Sequence, residues 1–452
     1  MQKILNNSTK ISILLCRRFE VNNAILTPLN YDLNLIPTIH ISPSKNSTLP
    51  LLVASILIEG VTLLEIDDDH IDDVKTMIAI LSKLGAHCIQ EKDRLIIDAR
   101  GPICSEACFK ECSDTRYSLL LLGILSSRTG SAKVSVPGGC DLNRPFDYHV
   151  ECLTKLGNTV SYNDDEISCA KTAEPIKTLQ LPYPSVGATL QALFSCATGS
   201  MNSTVTIQNA ALEPEIDDVI AFLNKAGTKI LRNGSDLIVV PVSNQTLQGV
   251  KHKPIYDRIE ASSYAFASVA VRKLVLLKNC PTQFMSEPLQ VLDRLKCAYY
   301  LLGAGDILID GRVFDEHQSL EMIARPYPGF PTDLQPILAA LCCTLSSKNI
   351  IRDMVMPCRT NYVDELRKIG AEISCFENII SINGFKKKAS QISINVSAPD
   401  LRGGMAIVLL AISSGCHINI TAFNQILRGY SRIISNAQIL GGQITYDSST
   451  KN

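Results

Sequence analysis

Six polar segments of the sequence precede long apolar stretches, and they contain the residue types that bind anions. They read Pro43-Ser44-Lys45-Asn46, Ser113-Asp114-Thr115-Arg116, Tyr183-Pro184-Ser185-Val186-Gly187, Asp257-Arg258-Ile259-Glu260, Phe330-Pro331-Thr332-Asp333 and Asp400-Leu401-Arg402-Gly403-Gly404. A helix start offers free backbone N–H donors and the positive end of the helix dipole. If several such starts meet in one cleft, they form an anion site.

Ordinary helix capping is the alternative explanation for these segments. It accounts for Ser185 or Thr332 taken alone, because both residue types cap helices well. It does not account for Arg116 and Arg402, because a cation at a helix start opposes the dipole. The two arginines therefore favour a ligand site.

A second candidate for chemistry is the loop from Val136 to Pro145, which contains Pro137, Gly138-Gly139 and Cys140. Proline and paired glycines predict an exposed loop, and Arg144 would favour ionisation of the nearby thiol. A lone loop cysteine is nevertheless more often inert than catalytic, so the spacing by itself leaves the role of Cys140 open.

Metal and cofactor signatures are weak. Cys104, Cys108 and Cys112 could face one way on a helix, but their spacing is not typical of zinc or iron–sulfur sites. The seven histidines are scattered, and the sequence has no phosphate-loop or dinucleotide glycine motif. We expect neither a metal nor a cofactor.

The composition indicates a globular protein with a small-molecule ligand. The chain has 452 residues, a net charge of −1 and no basic excess for nucleic acid. Its 16 cysteines lie in apolar segments without disulfide spacing, which indicates a reducing, cytoplasmic compartment. The apolar run Ile11–Leu15 is too short for a membrane span.

An internal repeat predicts the elements that position these residues. Six amphipathic stretches, about 70 residues apart, end at Gly85, Gly157, Gly227, Gly303, Gly370 and Gly441. Each glycine predicts a helix end in the left-handed conformation, followed by a strand. Each unit also has a second, wholly apolar stretch that predicts a buried helix. These stretches are 48–60, 116–127, 185–197, 261–273, 332–345 and 402–414.

The repeat predicts an α/β fold with three units in each of two domains. Units of 70 residues are too long for common solenoids, so we expect buried helices wrapped by sheets. A doubly wound sheet is the alternative. A boundary near residue 255 divides the six units equally.

Seven motifs in order extend these observations. They are Pro137-Gly138-Gly139-Cys140 with Arg144-Pro145-Phe146-Asp147, Pro184-Ser185-Val186-Gly187-Ala188-Thr189, Asn209-Ala210-Ala211-Leu212-Glu213-Pro214-Glu215-Ile216, Asp257-Arg258-Ile259-Glu260, Phe330-Pro331-Thr332-Asp333-Leu334-Gln335, Asp400-Leu401-Arg402 and Arg428-Gly429-Tyr430. The chain resembles the UDP-N-acetylglucosamine enolpyruvyl transferases over residues 41–446. The resemblance implies an inside-out α/β barrel, with residues 45–255 as one domain and residues 1–44 plus 256–452 as the other.

The resemblance also implies the reaction and the catalytic residues. The enolpyruvyl group of phosphoenolpyruvate would pass to a sugar hydroxyl by addition and elimination, in the peptidoglycan pathway. Asp333 matches the base that deprotonates the hydroxyl. Cys140 matches the loop acid that protonates the methylene carbon. Lys45 is implied as a third catalytic residue.

The implied binding residues form two sets. Phosphoenolpyruvate would be held by Lys45, Arg116, Arg144, Arg359, Arg402 and Arg428, with Lys45 and Arg144 at its phosphate, Arg359 and Arg402 at its carboxylate, and Arg428 at both. The nucleotide sugar would contact Asn46, Arg144, Pro145, Asp147, Ser185, Val186, Gly187, Asp333 and Val355. The implied protein is a monomer or a weak homo-oligomer.

The sequence departs from the family at the acceptor side. Three residues separate Cys140 from Arg144, where the family usually has four. Tyr183 stands where a lysine is common, and Leu212 stands where an arginine is common. Fewer cations indicate a changed acceptor, so another uridine nucleotide such as UMP is an alternative. A third hypothesis is a non-catalytic relative that binds a nucleotide.

Overall fold

The structure is a computed structural model that describes residues 10–13, 29–32, 36–67, 71–138, 145–197, 203–240, 247–386 and 393–445. Cys140 and Arg144 of the predicted site lie outside the described residues. Within the described ranges, no helix is long and apolar enough to cross a membrane.

The described strands are short and mostly belong to four-stranded sheets. They are Lys10–Ile13 (β1), Leu29–Asp32 (β2), Thr38–His40 (β3), Val61–Leu64 (β4), His87–Glu91 (β5), Arg94–Asp98 (β6), Glu106–Ala107 (β7), Ser131–Ser135 (β8), Asn158–Tyr162 (β9), Glu166–Lys171 (β10), Thr178–Gln180 (β11), Val205–Gln208 (β12), Lys229–Asn233 (β13), Asp236–Val240 (β14), Val250–His252 (β15), Leu274–Lys278 (β16), Ala298–Leu301 (β17), Ile307–Asp310 (β18), Glu321–Ala324 (β19), Asn349–Asp353 (β20), Ala371–Phe376 (β21), Ile379–Phe385 (β22), Ile394–Ser397 (β23) and Ile418–Thr421 (β24).

The helices alternate with these strands along the chain. They are Lys45–Ala54 (α1), Asp72–Lys83 (α2), Lys110–Asp114 (α3), Leu120–Thr129 (α4), Asp147–Lys155 (α5), Val186–Cys196 (α6), Pro214–Ala226 (α7), Arg258–Ala270 (α8), Ser286–Arg294 (α9), Gln335–Cys342 (α10), Tyr362–Ile369 (α11), Leu401–Ser414 (α12), Asn424–Leu427 (α13) and Ile433–Ile439 (α14). Short 3₁₀ turns at Arg116–Leu119 and Thr332–Leu334 lead into α4 and α10.

The four-stranded sheets share one topology. Their orders are β7-β8-β10-β9, β11-β12-β14-β13, β15-β4-β6-β5, β17-β18-β16-β3 and β19-β20-β22-β21. Each combines one parallel pair with antiparallel pairs, and each is open at two edges. A parallel pair needs a crossover, and within a repeat a buried helix supplies it, as α6 does between β11 and β12. The fold is therefore mixed α/β, as predicted.

Two strands join sheets far from their own place in the sequence. β15, near residue 250, pairs with β4, while β3, near residue 39, pairs with β16. One hydrophobic core accordingly runs from Leu49 to Val250, and a second contains Ile39 together with residues 259–440.

The prediction of six buried helices is confirmed. The apolar stretches correspond to α1, α4, α6, α8, α10 and α12, whose residues are almost all buried. In one core α4 contacts α1 and α6, and in the other α8, α10 and α12 contact one another. Residues that are apolar on every side of a helix require this central position.

The predicted helix ends are confirmed at five glycines and wrong at the sixth. The helices α2, α5, α7, α11 and α14 are followed by glycines of positive φ at 85, 157, 227, 370 and 441. In the fourth unit α9 ends at Arg294, and Lys296 takes the positive φ of 51° instead. Gly303 lies in a turn after β17, so its Leu-Gly dipeptide marks a strand end.

Candidate active site

Helix starts from the two cores meet at Asp257. One carboxylate oxygen of Asp257 caps α8, accepting from the backbone N–H groups of Ile259 at 2.8 Å and Glu260 at 2.9 Å. Its other oxygen accepts from the backbone N–H of Lys45, the first residue of α1, at 3.2 Å. The side chain that caps one buried helix therefore also fixes the start of another.

The predicted base lies between two buried arginines. Asp333 Oδ1 accepts from Arg359 Nη1 at 3.1 Å, and its Oδ2 accepts from Arg402 Nη2 at 3.1 Å and Nε at 3.3 Å. The side chain of Asp333 is 25% exposed, whereas those of Arg359 and Arg402 are 4% and 1% exposed. The carboxylate therefore faces the opening of the site, with the cations behind it.

Each arginine is held by a second partner. Arg359 Nη1 also donates to the carbonyl oxygen of Thr332 at 3.0 Å. Arg402 Nη1 donates to the Tyr430 hydroxyl at 3.0 Å, and the backbone N–H of Arg402 is capped by Asp400 at 2.9 Å. These contacts fix the guanidinium planes, which suits recognition of a planar carboxylate.

Two other predicted cations, Lys45 and Arg428, contact a carboxylate that the sequence analysis did not single out. Lys45 Nζ lies 2.6 Å from Asp73 Oδ2, and Arg428 Nε donates to Asp73 Oδ1 at 2.7 Å. Arg428 follows α13 in the second core, whereas Lys45 and Asp73 belong to helices that pack in the first. The ion pairs thus connect the two halves of the chain.

The two cation groups influence each other. Burial is the largest cause that lowers the pKa of Lys45, Asp73 opposes it, and the positive charges of Arg428 and Arg402 lower the pKa further. The effect of Arg402 on Lys45 indicates that the two groups are near each other. Arg359 and Arg402 thus pair with Asp333, while Lys45 and Arg428 pair with Asp73.

Arg116, predicted for phosphoenolpyruvate, contacts a residue predicted for the acceptor, and two further acceptor residues have contacts of their own. Arg116 Nη2 donates to the carbonyl oxygen of Pro145 at 2.7 Å, and Asn46 Oδ1 accepts from the Tyr117 hydroxyl at 3.1 Å. The N–H of Val355 donates to Asp353 Oδ1 at 2.8 Å.

The start of α6 lies beside the start of α5, where Asp147 is exposed. Ser185 caps α6 by accepting from Ala188 N at 3.3 Å, so ordinary capping explains this residue. Val186 and Gly187 form the first helical turn, and a Cβ at Gly187 would lie 2.7 Å from His149 Nε2. Only glycine at position 187 therefore allows α6 to approach His149 this closely. Burial lowers the pKa of His149 to about 4.

Capping does not explain Thr332. Its hydroxyl donates to Asp353 Oδ2 at 2.6 Å, and its 3₁₀ turn has no side-chain cap. This bond connects the turn that carries Asp333 to the loop that carries Val355.

Tyr183 and Leu212, the two departures from the family pattern, lie near acidic residues. Burial is the main cause that raises the pKa of the Tyr183 hydroxyl, with further increases from Glu213, Asp353 and Tyr148. The hydroxyl is buried and has no hydrogen-bond partner among the described residues. Burial also raises the pKa of Glu213, next to Leu212. Tyr183 is therefore a neutral donor where a lysine would supply a charge.

The described cysteines are poor competitors for a catalytic role. Burial raises the thiol pKa to about 12 at Cys152, Cys196, Cys297 and Cys343. The exposed described cysteines are Cys104, Cys108 and Cys358. In the described part of the chain, no group of three His, Cys, Asp or Glu side chains could hold a metal ion.

Three functional candidates were missed from the sequence. Asp73 follows Asp72 at the start of an amphipathic helix, where acidic residues are ordinary because they suit the dipole. Asp257 and Tyr430 belong to two of the seven motifs, Asp257-Arg258-Ile259-Glu260 and Arg428-Gly429-Tyr430. Their partners, Lys45 for Asp257 and Arg402 for Tyr430, are far away in sequence. No local pattern could have identified these contacts.

Comparisons with known proteins identify the family of the chain. Residues 33–436 match the family of EPSP synthase (3-phosphoshikimate 1-carboxyvinyltransferase). The chain is 34% identical to a UDP-N-acetylglucosamine 1-carboxyvinyltransferase of Kosmotoga olearia, over 91% of this chain and 96% of the relative. It is also 34% identical to the protein of the same name from Thermotoga maritima, over 90% and 95%.

Solved structures show the same fold at lower identity. The enolpyruvyl transferase NikO from Streptomyces tendae superposes with a TM-score of 0.79 at 20% identity, covering 89% of this chain and 94% of that one. An EPSP synthase from Acinetobacter baumannii gives a TM-score of 0.66 at 14% identity, with coverages of 91% and 97%.

Proposed function

The chain belongs to the EPSP synthase family of enolpyruvyl transferases, and on this premise we propose that it transfers the enolpyruvyl group of phosphoenolpyruvate to a hydroxyl of UDP-N-acetylglucosamine. Phosphate is the second product, and peptidoglycan synthesis is the pathway. The observation that carries the proposal is the pair of buried arginines that flank Asp333, because it combines donors for an anion with a base.

The two ends of phosphoenolpyruvate suit the two cation groups. Its phosphate suits Lys45 and Arg428, and by the family resemblance also Arg144 and Arg116. Its planar carboxylate suits Arg359 and Arg402, because each guanidinium can donate two parallel hydrogen bonds. Arg428 borders both groups.

The reaction then proceeds by addition and elimination. Asp333 takes the proton of the acceptor hydroxyl as the oxygen bonds to the substituted vinyl carbon, and Cys140 protonates the methylene carbon. Removal of a methyl proton restores the double bond as the carbon–oxygen bond to phosphate breaks. The products are the enolpyruvyl ether and phosphate.

The detailed architecture belongs to the same proposal. We propose an inside-out α/β barrel of two domains, residues 45–255 and residues 1–44 plus 256–452, with the Cys loop in the former. The two hydrophobic cores and the placement of β3 and β15 support this division. We further propose a cytoplasmic monomer or weak homo-oligomer that binds neither nucleic acid nor a membrane.

Tyr183 and Leu212 are the specific reason to test a second acceptor. Each replaces a cation of the family pattern, and the groups nearest Tyr183 include Glu213 and Asp353. An acceptor with fewer phosphates, such as UMP, would need fewer cations.

An acceptor screen tests the proposal. Purified protein with phosphoenolpyruvate should release phosphate with UDP-N-acetylglucosamine, and kcat/KM should be lower with UDP, UMP and shikimate 3-phosphate. A higher kcat/KM with UMP than with UDP-N-acetylglucosamine would show that UMP is the preferred acceptor. If no phosphate is released with any of these acceptors, the non-catalytic, nucleotide-binding alternative is supported.

Replacement Cys140→Ser is predicted to abolish alkylation by an epoxide phosphonate, because the attacking thiolate is lost. Mass spectrometry of peptides after labelling measures this. The matched control is Cys358→Ser, which removes an exposed thiol beside Arg359 and should leave labelling unchanged. Labelling that persists without Cys140 and disappears without Cys358 would show that Cys358 is the reactive cysteine.

A further inference from the structure

Asp73 is buried between two cations that the proposed function gives to the phosphate of phosphoenolpyruvate. It is 4% exposed and lies in the first turn of α2. Its Oδ2 is 2.6 Å from Lys45 Nζ, and its Oδ1 accepts from Arg428 Nε at 2.7 Å. The side chain of Lys45 is 8% exposed and that of Arg428 is 18% exposed.

Without the carboxylate, Lys45 and Arg428 would face each other as like charges away from water. Removing one partner of a buried ion pair is costly because the remaining charge is uncompensated. Arg402 adds a third positive charge that acts on Lys45. Asp73 is therefore the counter-ion that permits a lysine at this place.

The charge states agree with this role. Burial by itself raises the pKa of Asp73, but Lys45 and Arg428 together lower it below its ordinary value, so Asp73 is ionised at neutral pH. Burial, Arg428 and Arg402 all lower the pKa of Lys45, whereas Asp73 raises it. Among the described residues, the charged groups with the largest effects on Lys45 lie on α2, on α12 and at the end of α13.

The ammonium group of Lys45 retains donors for a ligand. An ammonium has three N–H donors, and Asp73 is the hydrogen-bond partner of Lys45 Nζ among the described residues. The carboxylate thus holds the lysine while leaving donors for a phosphate oxygen.

We propose that Asp73 is a positioning residue for the transfer reaction, which holds Lys45 and Arg428 at a fixed spacing as a preformed pair for the phosphate of phosphoenolpyruvate. The inference rests on the proposed function. Asp73 does not contact the reacting atoms; it acts through the two cations.

The test compares Asp73→Asn with Asp72→Asn, which changes the neighbouring, partly exposed carboxylate that pairs with Lys75. Phosphate release is measured with UDP-N-acetylglucosamine at varied phosphoenolpyruvate concentration and pH. Asp73→Asn should lower kcat/KM for phosphoenolpyruvate at least about 10-fold at neutral pH, because Lys45 loses charge and orientation. Asp72→Asn should match the wild type.

The pH profile separates positioning from a merely structural role. Loss of Asp73 removes the main influence that raises the pKa of Lys45, so activity that needs the ammonium should disappear at lower pH. The alkaline limb of kcat/KM should move down by about one unit or more, the usual effect of one close charge. If the Asn variant does not fold, Asp73→Glu keeps the charge and should lower kcat/KM with the alkaline limb unmoved.

Two results would overturn the inference. One is an Asp73→Asn enzyme with wild-type kcat/KM and pH profile, and the other is an equal loss at every pH. Wild-type protein that releases no phosphate with any acceptor would instead remove the proposed function, and the inference with it. The experiment therefore distinguishes a wrong role for Asp73 from a wrong proposed function.

Discussion

Replacement of Asp333 by asparagine is expected to lower kcat for phosphate release about 10²- to 10⁴-fold, the range that general base catalysis contributes. Asparagine has the same shape but cannot take the proton of the acceptor hydroxyl. The position of Asp333 makes this role specific, because it is the partly exposed carboxylate in front of Arg359 and Arg402.

The fold should tolerate this change. The amide oxygen of asparagine can still accept a hydrogen bond from one arginine, and Arg359 and Arg402 keep Thr332 and Tyr430 as further partners. The matched control is Asp364→Asn, an exposed carboxylate on α11 that pairs with Arg367. Normal phosphate release by a folded Asp333→Asn enzyme would exclude Asp333 as the base.

The second large effect is expected for Arg402→Lys. Arg402 donates from Nε and Nη2 to Asp333 and from Nη1 to Tyr430, and it is 1% exposed. A lysine keeps the charge but cannot make these bonds from one plane. Disrupting a buried charged contact costs at least about 2 kcal/mol, so kcat/KM for phosphoenolpyruvate should fall about 30-fold or more.

Steady-state kinetics and the melting temperature measure this second effect. Arg367→Lys is the matched control, because Arg367 is an exposed arginine in an ion pair with Asp364. It should leave kcat/KM unchanged. If folded Arg402→Lys protein also kept the wild-type KM for phosphoenolpyruvate, Arg402 would have no role in holding the substrate.

Hydrophobic pattern alone predicted the helices well. All six apolar stretches are buried helices, because a sequence without a polar face has no stable position at the surface. The fourth helix end was placed wrongly because Lys296 adopts a positive φ. Lysine is not a residue type from which a positive φ is expected. Gly303 was a misleading marker because glycines also occur in turns after strands.

The site was predictable where local chemistry was unusual. Arg402 stood out because a cation opposes the helix start, and Lys45 and Asp333 belonged to polar segments before apolar helices. Asp73 did not stand out, because an acidic residue in the first turn of α2 is favourable in any amphipathic helix.

Long-range contacts account for the rest of the site. The ion pair of Asp73 with Arg428 joins residues 355 positions apart, and the contact of Ser42 N with Glu260 joins residues 218 apart. Such contacts depend on how the two cores meet, which no local pattern encodes. Arg428 itself entered the predicted site only through the family resemblance.

The most direct test of the account uses phosphoenolpyruvate labelled with ¹⁸O at the oxygen that joins carbon to phosphorus. With UDP-N-acetylglucosamine, addition and elimination break the carbon–oxygen bond, so mass spectrometry should find the label in phosphate and an unlabelled enolpyruvyl group on the nucleotide sugar. Label retained in free pyruvate, with unlabelled phosphate and an unchanged nucleotide sugar, would show phosphorus–oxygen cleavage and contradict enolpyruvyl transfer.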